Sequence, residues 1–318
     1  MMWLDEQYRL LHNEINEDFS ALSGTAELKT LVKETFKQYW KFTSTPTSQT
    51  RPWPLLPLIV CEAISGKYSR ALPAAAALYL LRISAEIFDD IEDADSQESL
   101  SAKYGHAIAV NAATTFLILA EREITRLAEK SVQAPMIVRV IDVINSTYLN
   151  ACGGQHLDLS PETKQPLTED HYLNIIGKKS ASTTRCACHT GALLATKNNK
   201  LINKFINFGY NLGLASQIAN DILGIVQGKD ISSLKITLPV IFALNQANDK
   251  TRSQLKKIYA DKDKTGYDLI QIKDLLFHCG AMQYTTIKME YYKQQAADVL
   301  LEIKDRFPGV NKLEIFLT

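Results

Sequence analysis

The chain has no Cys-x-x-Cys pair, and its five cysteines (Cys61, Cys152, Cys186, Cys188 and Cys279) are odd in number. A disulfide framework and a structural zinc site are both disfavoured; reduced thiols in a cytoplasmic protein are the expectation. Glycine (14) and proline (10) are too scarce for collagen-like or low-complexity sequence. An excess charge of one sign is also missing. In 318 residues, 35 Lys and Arg balance 35 Asp and Glu, so no global field draws the protein to nucleic acid or anionic lipid. There is no GxxxxGK[ST] loop, no GxGxxG after a strand and no HExxH, and the six histidines show no ligand spacing. The most apolar runs, Ala71–Leu81 and Ala107–Ala120, fall short of the ~18 residues of a membrane span. The acidic start, with Asp5 and Glu6, lacks an apolar h-region, so no cleaved leader is expected.

What is present is helical periodicity. Leu201, Phe205, Phe208, Leu212, Ala215, Ala219 and Ile222 step by four and three, which keeps one helix face apolar. Met136–Leu149, Tyr172–Leu194 and Leu269–Leu301 read similarly. Thr168 followed by Glu169 and Asp170 reads as a helix start with acids in its first turn. Cys186 and Cys188 fall on different faces of a helix and read as core. Polar or proline-rich breaks fall at Thr45–Pro57, Ser160–Leu167 and Asp261–Gly266, but none is long enough to force a domain boundary. One all-α domain over residues 1–318 is the expectation.

The densest chemical feature is Asp89-Asp90-Ile91-Glu92-Asp93-Ala94-Asp95, at the end of the apolar helix Ala71–Phe88. Asp89 and Asp93 are i, i+4, and Asp90 and Asp93 are i, i+3, so three carboxylates can share a face. Like charges repel there, and the negative end of the helix dipole adds to the penalty. A hard divalent cation removes both penalties, and magnesium suits a few carboxylates, waters and substrate phosphates. A solvated acidic helix end would read the same way. A second feature is Gln217-Ile218-Ala219-Asn220-Asp221, where Asn220 and Asp221 are hard oxygen donors beside the buried stripe. A buried Asp paired with a Lys is the alternative there. Lys179 and Lys235 are candidate point charges for phosphate, though single lysines are commonly surface residues.

In order along the chain, these features resemble the class I trans-prenyl diphosphate synthases. Arg51-Pro52-Trp53-Pro54 resembles the GKRxRP segment, and Asp89, Asp90 and Asp93 match the first DDxxD. Gly154-Gln155-His156-Leu157-Asp158-Leu159 resembles GQxxDL, and Tyr172-Leu173 with Lys179-Ser180 resembles the YLxMI…K[TS] helix. Gly213 to Asp221 resembles the second aspartate-rich helix, and Lys235 with Thr237-Leu238-Pro239 the KxTLP segment. The resemblance implies an all-α isoprenoid synthase bundle around an apolar cavity. It implies Mg2+ held by Asp89, Asp90, Asp93, Asn220 and Asp221, with Lys179 and Lys235 offsetting the leaving diphosphate. It also implies that Arg51, Arg82, Gln155, Asp158 and Gln217 contact substrate. The small Ser84 and Ala85, with Phe88, would leave room for a prenyl chain of fifteen or twenty carbons. The family's habit also implies a homodimer, with Ala107–Ala120 as a candidate interface helix.

The departures bear on the acceptor. The family's Gly-Lys before the first arginine is Gln49-Thr50, its histidine ahead of DDxxD is Arg82, and Gln97 to Tyr104 contains no arginine. Each lost charge-assisted bond to an acceptor diphosphate costs ~1.5–3 kcal/mol. Gly224 replaces the last acid of the second motif, and Gly228 stands where a terpene cyclase would carry Glu, with Asp230 nearby. The pattern resembles the ComQ-type prenyltransferases, which prenylate a tryptophan of a peptide. The leading expectation is therefore transfer from a prenyl diphosphate to a peptide or small-molecule acceptor. Terpene cyclisation comes second and isopentenyl diphosphate elongation third.

Overall fold

The computed structural model describes residues 2–44, 51–93, 98–160, 168–260 and 269–317. Gln49, Thr50, Asp95, Gln97 and most of the polar breaks at 160–167 and 261–266 lie outside them. Among the described residues there is no strand. The helices are α1 (Met2–Ser20), α2 (Ala26–Ser44), α3 (Leu56–Ser65), α4 (Leu72–Asp93), α5 (Leu100–Tyr104), α6 (His106–Thr125), α7 (Ala134–Leu159) and α8 (Glu169–Ile176). A π-helical segment, Gly177–Ala181, leads into α9 (Ser182–Ala195). There follow α10 (Asn199–Gln227), α11 (Lys229–Ser232), α12 (Leu238–Gln246), α13 (Asp249–Ala260), α14 (Leu269–His278) and α15 (Ala281–Ile303).

The chain divides into two compact units. The first comprises Met1–Asn145, Cys186–Phe205 and Leu300–Thr318; the second comprises Ser146–Arg185 and Ile206–Val299. The changes of unit fall inside α7, α9, α10 and α15, so no linker composition marks them.

In the first unit α4 packs along α6. The run Ala74–Ala77 is fully buried and brings little bulk to that seam, and Ala109, Ala112 and Ala113 are equally buried on α6. Ser84 is buried in the same seam, where its hydroxyl donates to the Ala113 carbonyl at 2.8 Å. Aromatic side chains join α1, α2 and α4: Trp40 meets Tyr79 edge-on at 5.4 Å, and Phe36 meets both Phe19 and Tyr79 edge-on. Such pairs add about 0.5–1.5 kcal/mol each beyond their buried area. The helical stretch Ser69–Asp93 contains an 18-residue window, with a mean hydropathy of 1.4, that is long and apolar enough to cross a membrane, which extends the run read from sequence. Of that window, 72% is buried inside the fold, as in a core helix.

A polar knot also closes this unit. Arg126 contacts Glu14, Glu17, Glu123 and Glu129, while Arg122 pairs with Asp18 at 3.1 Å. Glu123 is fully buried, and burial pushes its carboxyl up to about 8 although Arg126 lies 3.1 Å away. The neighbouring charges of Asp18 and Glu14 act in the same direction as burial.

In the second unit α8 begins where the acids predicted it. Thr168 is the N-cap, and its hydroxyl accepts from the His171 backbone N–H at 3.2 Å. Tyr172, Ile176, Ala181, Leu214, Ile218, Leu238 and Ile241 form one buried cluster that fixes α8, α10 and α12 together. Of the predicted α10 stripe, Leu201 and Phe205 are buried in the first unit and Phe208, Leu212 and Ala215 in the second, where Ala219 and Ile222 are half-buried. Cys186 and Cys188, in the first unit, are both buried, as expected of core thiols.

Candidate active site

In the first unit the chemistry sits at the C-terminal end of α4. Leu80, Ile83, Ser84 and Ile87 bury one face of the helix, which leaves Asp89, Asp90 and Asp93 half-buried and Glu92 exposed. No basic residue lies in the last turn of α4 to relieve these carboxylates. One turn earlier, Arg82 donates to Glu86 at 2.7 Å, with both side chains largely exposed. The guanidinium that sequence reading assigned to substrate thus carries a carboxylate partner of its own. Tyr39 on α2 was not singled out by the sequence. Burial pushes its hydroxyl well above the ordinary tyrosine range, and the charges of Glu86 and Asp90 push the same way. No motif marks Tyr39; only the packing of α2 brings it near the acidic end of α4. Arg51 stacks over Trp53 at 5.9 Å, and Trp53 packs on Phe316 at 5.3 Å. Ala85 is exposed and Phe88 half-buried.

In the second unit the chemistry gathers around α10. Asp221 is 5% exposed. Its Oδ2 accepts from the Tyr172 hydroxyl at 2.5 Å and its Oδ1 from Gln217 Nε2 at 2.9 Å. Burial pushes the Asp221 carboxyl up to about 7, against the pull of those two hydrogen bonds. The charge of Asp230 adds to the rise, and that of Lys235 opposes it. Gln217, assigned to substrate by sequence, therefore orients Asp221, and Tyr172 is a missed member of the site. Asn220 is exposed beside it.

Lys179 lies in the π-helical segment, and its ammonium donates to Asp158 at 3.2 Å. The two residues that sequence reading assigned to catalysis and to substrate are thus held together. A π turn is a frequent mark of functional positions. Gly154 on α7 permits the approach: a Cβ there would stand 2.7 Å from the Lys179 backbone nitrogen. Gln155 is half-buried, and Lys235 is exposed.

Among the described residues no three acidic, His or Cys side chains converge into a ready-made metal site. The donors nonetheless fit magnesium. Asp89, Asp90 and Asp93 are hard oxygen ligands on the last turns of α4, and Asp221 is a hard ligand whose carboxyl burial pushes up. A cation would lower the energy of both sets.

Helical composition, the acidic end of α4 and the lysine-bearing second unit together define an all-α isoprenoid synthase. The polyprenyl synthetase family model matches residues 34–276, and the chain belongs to that family. It is an enzyme of the prenyl-transferring class that releases diphosphate. A geranylgeranyl diphosphate synthase of Sulfolobus acidocaldarius is 27% identical over 325 residues, 97% of this chain and 96% of that one. The tryptophan prenyltransferase ComQ of Bacillus spizizenii is 29% identical over 238 residues, 73% of this chain and 81% of that one. The crystal structure of a geranylgeranyl pyrophosphate synthetase from Pyrococcus horikoshii has the same fold, with a TM-score of 0.81 at 23% identity over 94% of this chain and 91% of that one. The names of these relatives lean toward chain elongation rather than toward the altered acceptor that the departures suggested.

Proposed function

We propose that the protein ionises an allylic prenyl diphosphate with magnesium and joins the prenyl group to isopentenyl diphosphate, giving a product of about fifteen to twenty carbons. The observation that carries this reading is the end of α4, where three half-buried carboxylates, Asp89, Asp90 and Asp93, gather within the last turns of one helix. Support for elongation comes from geranylgeranyl diphosphate synthases among the relatives, one of them matched over 97% of this chain.

Bound magnesium would act as a Lewis acid on the leaving diphosphate. In the first unit Asp89, Asp90 and Asp93 would offer carboxylates to magnesium; in the second, Asn220 and Asp221 would offer oxygen donors to it as well, each set by itself. Tyr172 and Gln217 fix the Asp221 carboxylate, so that little reorganisation is needed when the cation arrives. Lys179 and Lys235 supply positive charge to the departing diphosphate. Asp158 sets where the Lys179 ammonium points. Ser84, Ala85 and Phe88 line the start of the prenyl path; Ser84 is locked by its bond to Ala113, while Ala85 presents only a methyl group. Arg51 contacts an acceptor or allylic diphosphate, and Gln155 substrate. The protein works as a cytoplasmic homodimer through α6, whose outer side exposes Ile108, Val110 and Ile118.

A second reading rests on a specific observation. Arg82 is engaged by Glu86, and no arginine lies between Gln97 and Tyr104, so few cations remain for a second diphosphate. On that reading the acceptor is a tryptophan-bearing peptide or another nucleophile. Incubation with farnesyl diphosphate, magnesium and labelled isopentenyl diphosphate separates the two. A labelled twenty-carbon diphosphate supports elongation. Unlabelled products alone overturn it, and a cyclic hydrocarbon among them would mean that the substrate's own double bond is the acceptor.

A further inference from the structure

The second acidic helix lacks its last acid, because Gly224 stands one turn after Asp221. The structure places another carboxylate in that space. A Cβ built on Gly224 would overlap the Asp230 side chain, with Oδ1 2.6 Å away and Oδ2 and Cγ closer. Residues i and i+3 share a helix face, so the place that Asp230 fills is the one a side chain at 224 would take beside Asp221. Local geometry explains how the chain gets there. α10 ends at Gln227, Gly228 turns the backbone with φ of 81°, and α11 starts at Lys229. The backbone N–H of Lys235 then donates to the Asp230 carbonyl at 2.8 Å, which closes the turn back toward α10. Only glycine at 224 leaves the room.

We propose that Asp230 supplies the third carboxylate of the second acidic helix, reaching over Gly224 to hold magnesium with Asp221. This assignment rests on the prenyl-transfer reading given above. Three further observations agree with it. The charge of Asp230 acts on the Asp221 carboxyl. Lys235 acts on both, so the carboxylates and a candidate diphosphate-binding lysine share one neighbourhood. The buried Tyr259 hydroxyl on α13 has no hydrogen-bond partner among the described residues and lies close enough to feel the Asp230 charge. A water or phosphate oxygen on a cation held by Asp230 would satisfy it.

The test is binding of inorganic diphosphate in the presence of Mg2+, followed by calorimetry on the full chain. Asp230→Asn keeps the shape over Gly224 and removes the charge; it should weaken binding about ten- to a hundredfold. Gly224→Asp combined with Asp230→Gly moves the carboxylate to the helix itself and should restore binding to within about threefold of the wild type. Unchanged binding by Asp230→Asn overturns the assignment, and so does a folded double variant that binds no better than Asp230→Asn. If the wild type binds no diphosphate with magnesium, the prenyl-transfer reading itself falls. Wild-type binding with an indifferent Asp230→Asn overturns only the assignment.

Discussion

The Tyr172 hydroxyl donates a 2.5 Å hydrogen bond to Asp221, and both side chains are buried. The bond ties α8 to α10 at the one acid of the second motif that the fold encloses. It also holds down the proton affinity of a carboxyl that burial raises.

Tyr172→Phe should therefore push Asp221 further up and leave it protonated over a wider range. A hydrogen bond to a charged group is worth about 1.5–3 kcal/mol, so kcat/KM should fall about ten- to a hundredfold. The acid limb of the pH–rate profile should move to higher pH. A normal rate with an unmoved limb would contradict the role given to Tyr172.

Glu123 governs a separate pH effect. Its carboxyl rises to about 8 in the fold, mainly through burial, so the folded state binds that proton more tightly than the unfolded chain does. Its contribution to stability is complete below the ordinary glutamate range and is lost as pH rises through about 8. Thermal denaturation between about pH 6 and pH 9 should show the wild type losing Tm, and Glu123→Gln losing less. A wild-type Tm that climbs across that window would show that Arg126 outweighs burial.

Chain length should respond to α4. Ala85 is exposed and Ser84 is locked in the α4–α6 seam, so the two aromatic substitutions differ in kind. Ala85→Phe should shorten the favoured product or substrate without loss of stability. Ser84→Phe should do so while overpacking the seam, at about 1–3 kcal/mol. Products of unchanged length from Ala85→Phe would remove α4 from the wall of the prenyl path.

The exposed side of α6 tests the oligomer. Ile118 is 55% exposed, on the side of the helix away from the buried Ala109, Ala112 and Phe116. Ile118→Glu should convert a dimer to a monomer in light scattering while leaving the helical circular dichroism intact. A monomeric wild type, or a dimeric Ile118→Glu, would place the interface elsewhere or nowhere.

Much of this was legible in the sequence where chemistry is local. The Thr168 cap, the apolar stripe of α10 and the acids closing α4 all depend on neighbours within a turn or two, and each was found where its pattern fell. Residues whose role comes from tertiary approach were not. Tyr39 reaches the α4 acids only through packing of α2, and Tyr172 reaches Asp221 only because α8 packs on α10. The sequence places Asp230 near the missing acid at Gly224, but no pattern in the chain announces that its side chain folds back over that glycine.

The most direct test is diphosphate release from farnesyl and geranylgeranyl diphosphates, supplied with isopentenyl diphosphate, with and without magnesium. Wild type and Asp89→Ala would be compared. Release that needs magnesium and disappears in a folded Asp89→Ala variant is the expected result. Release that survives either chelation of the metal or loss of Asp89 would contradict the account at its centre.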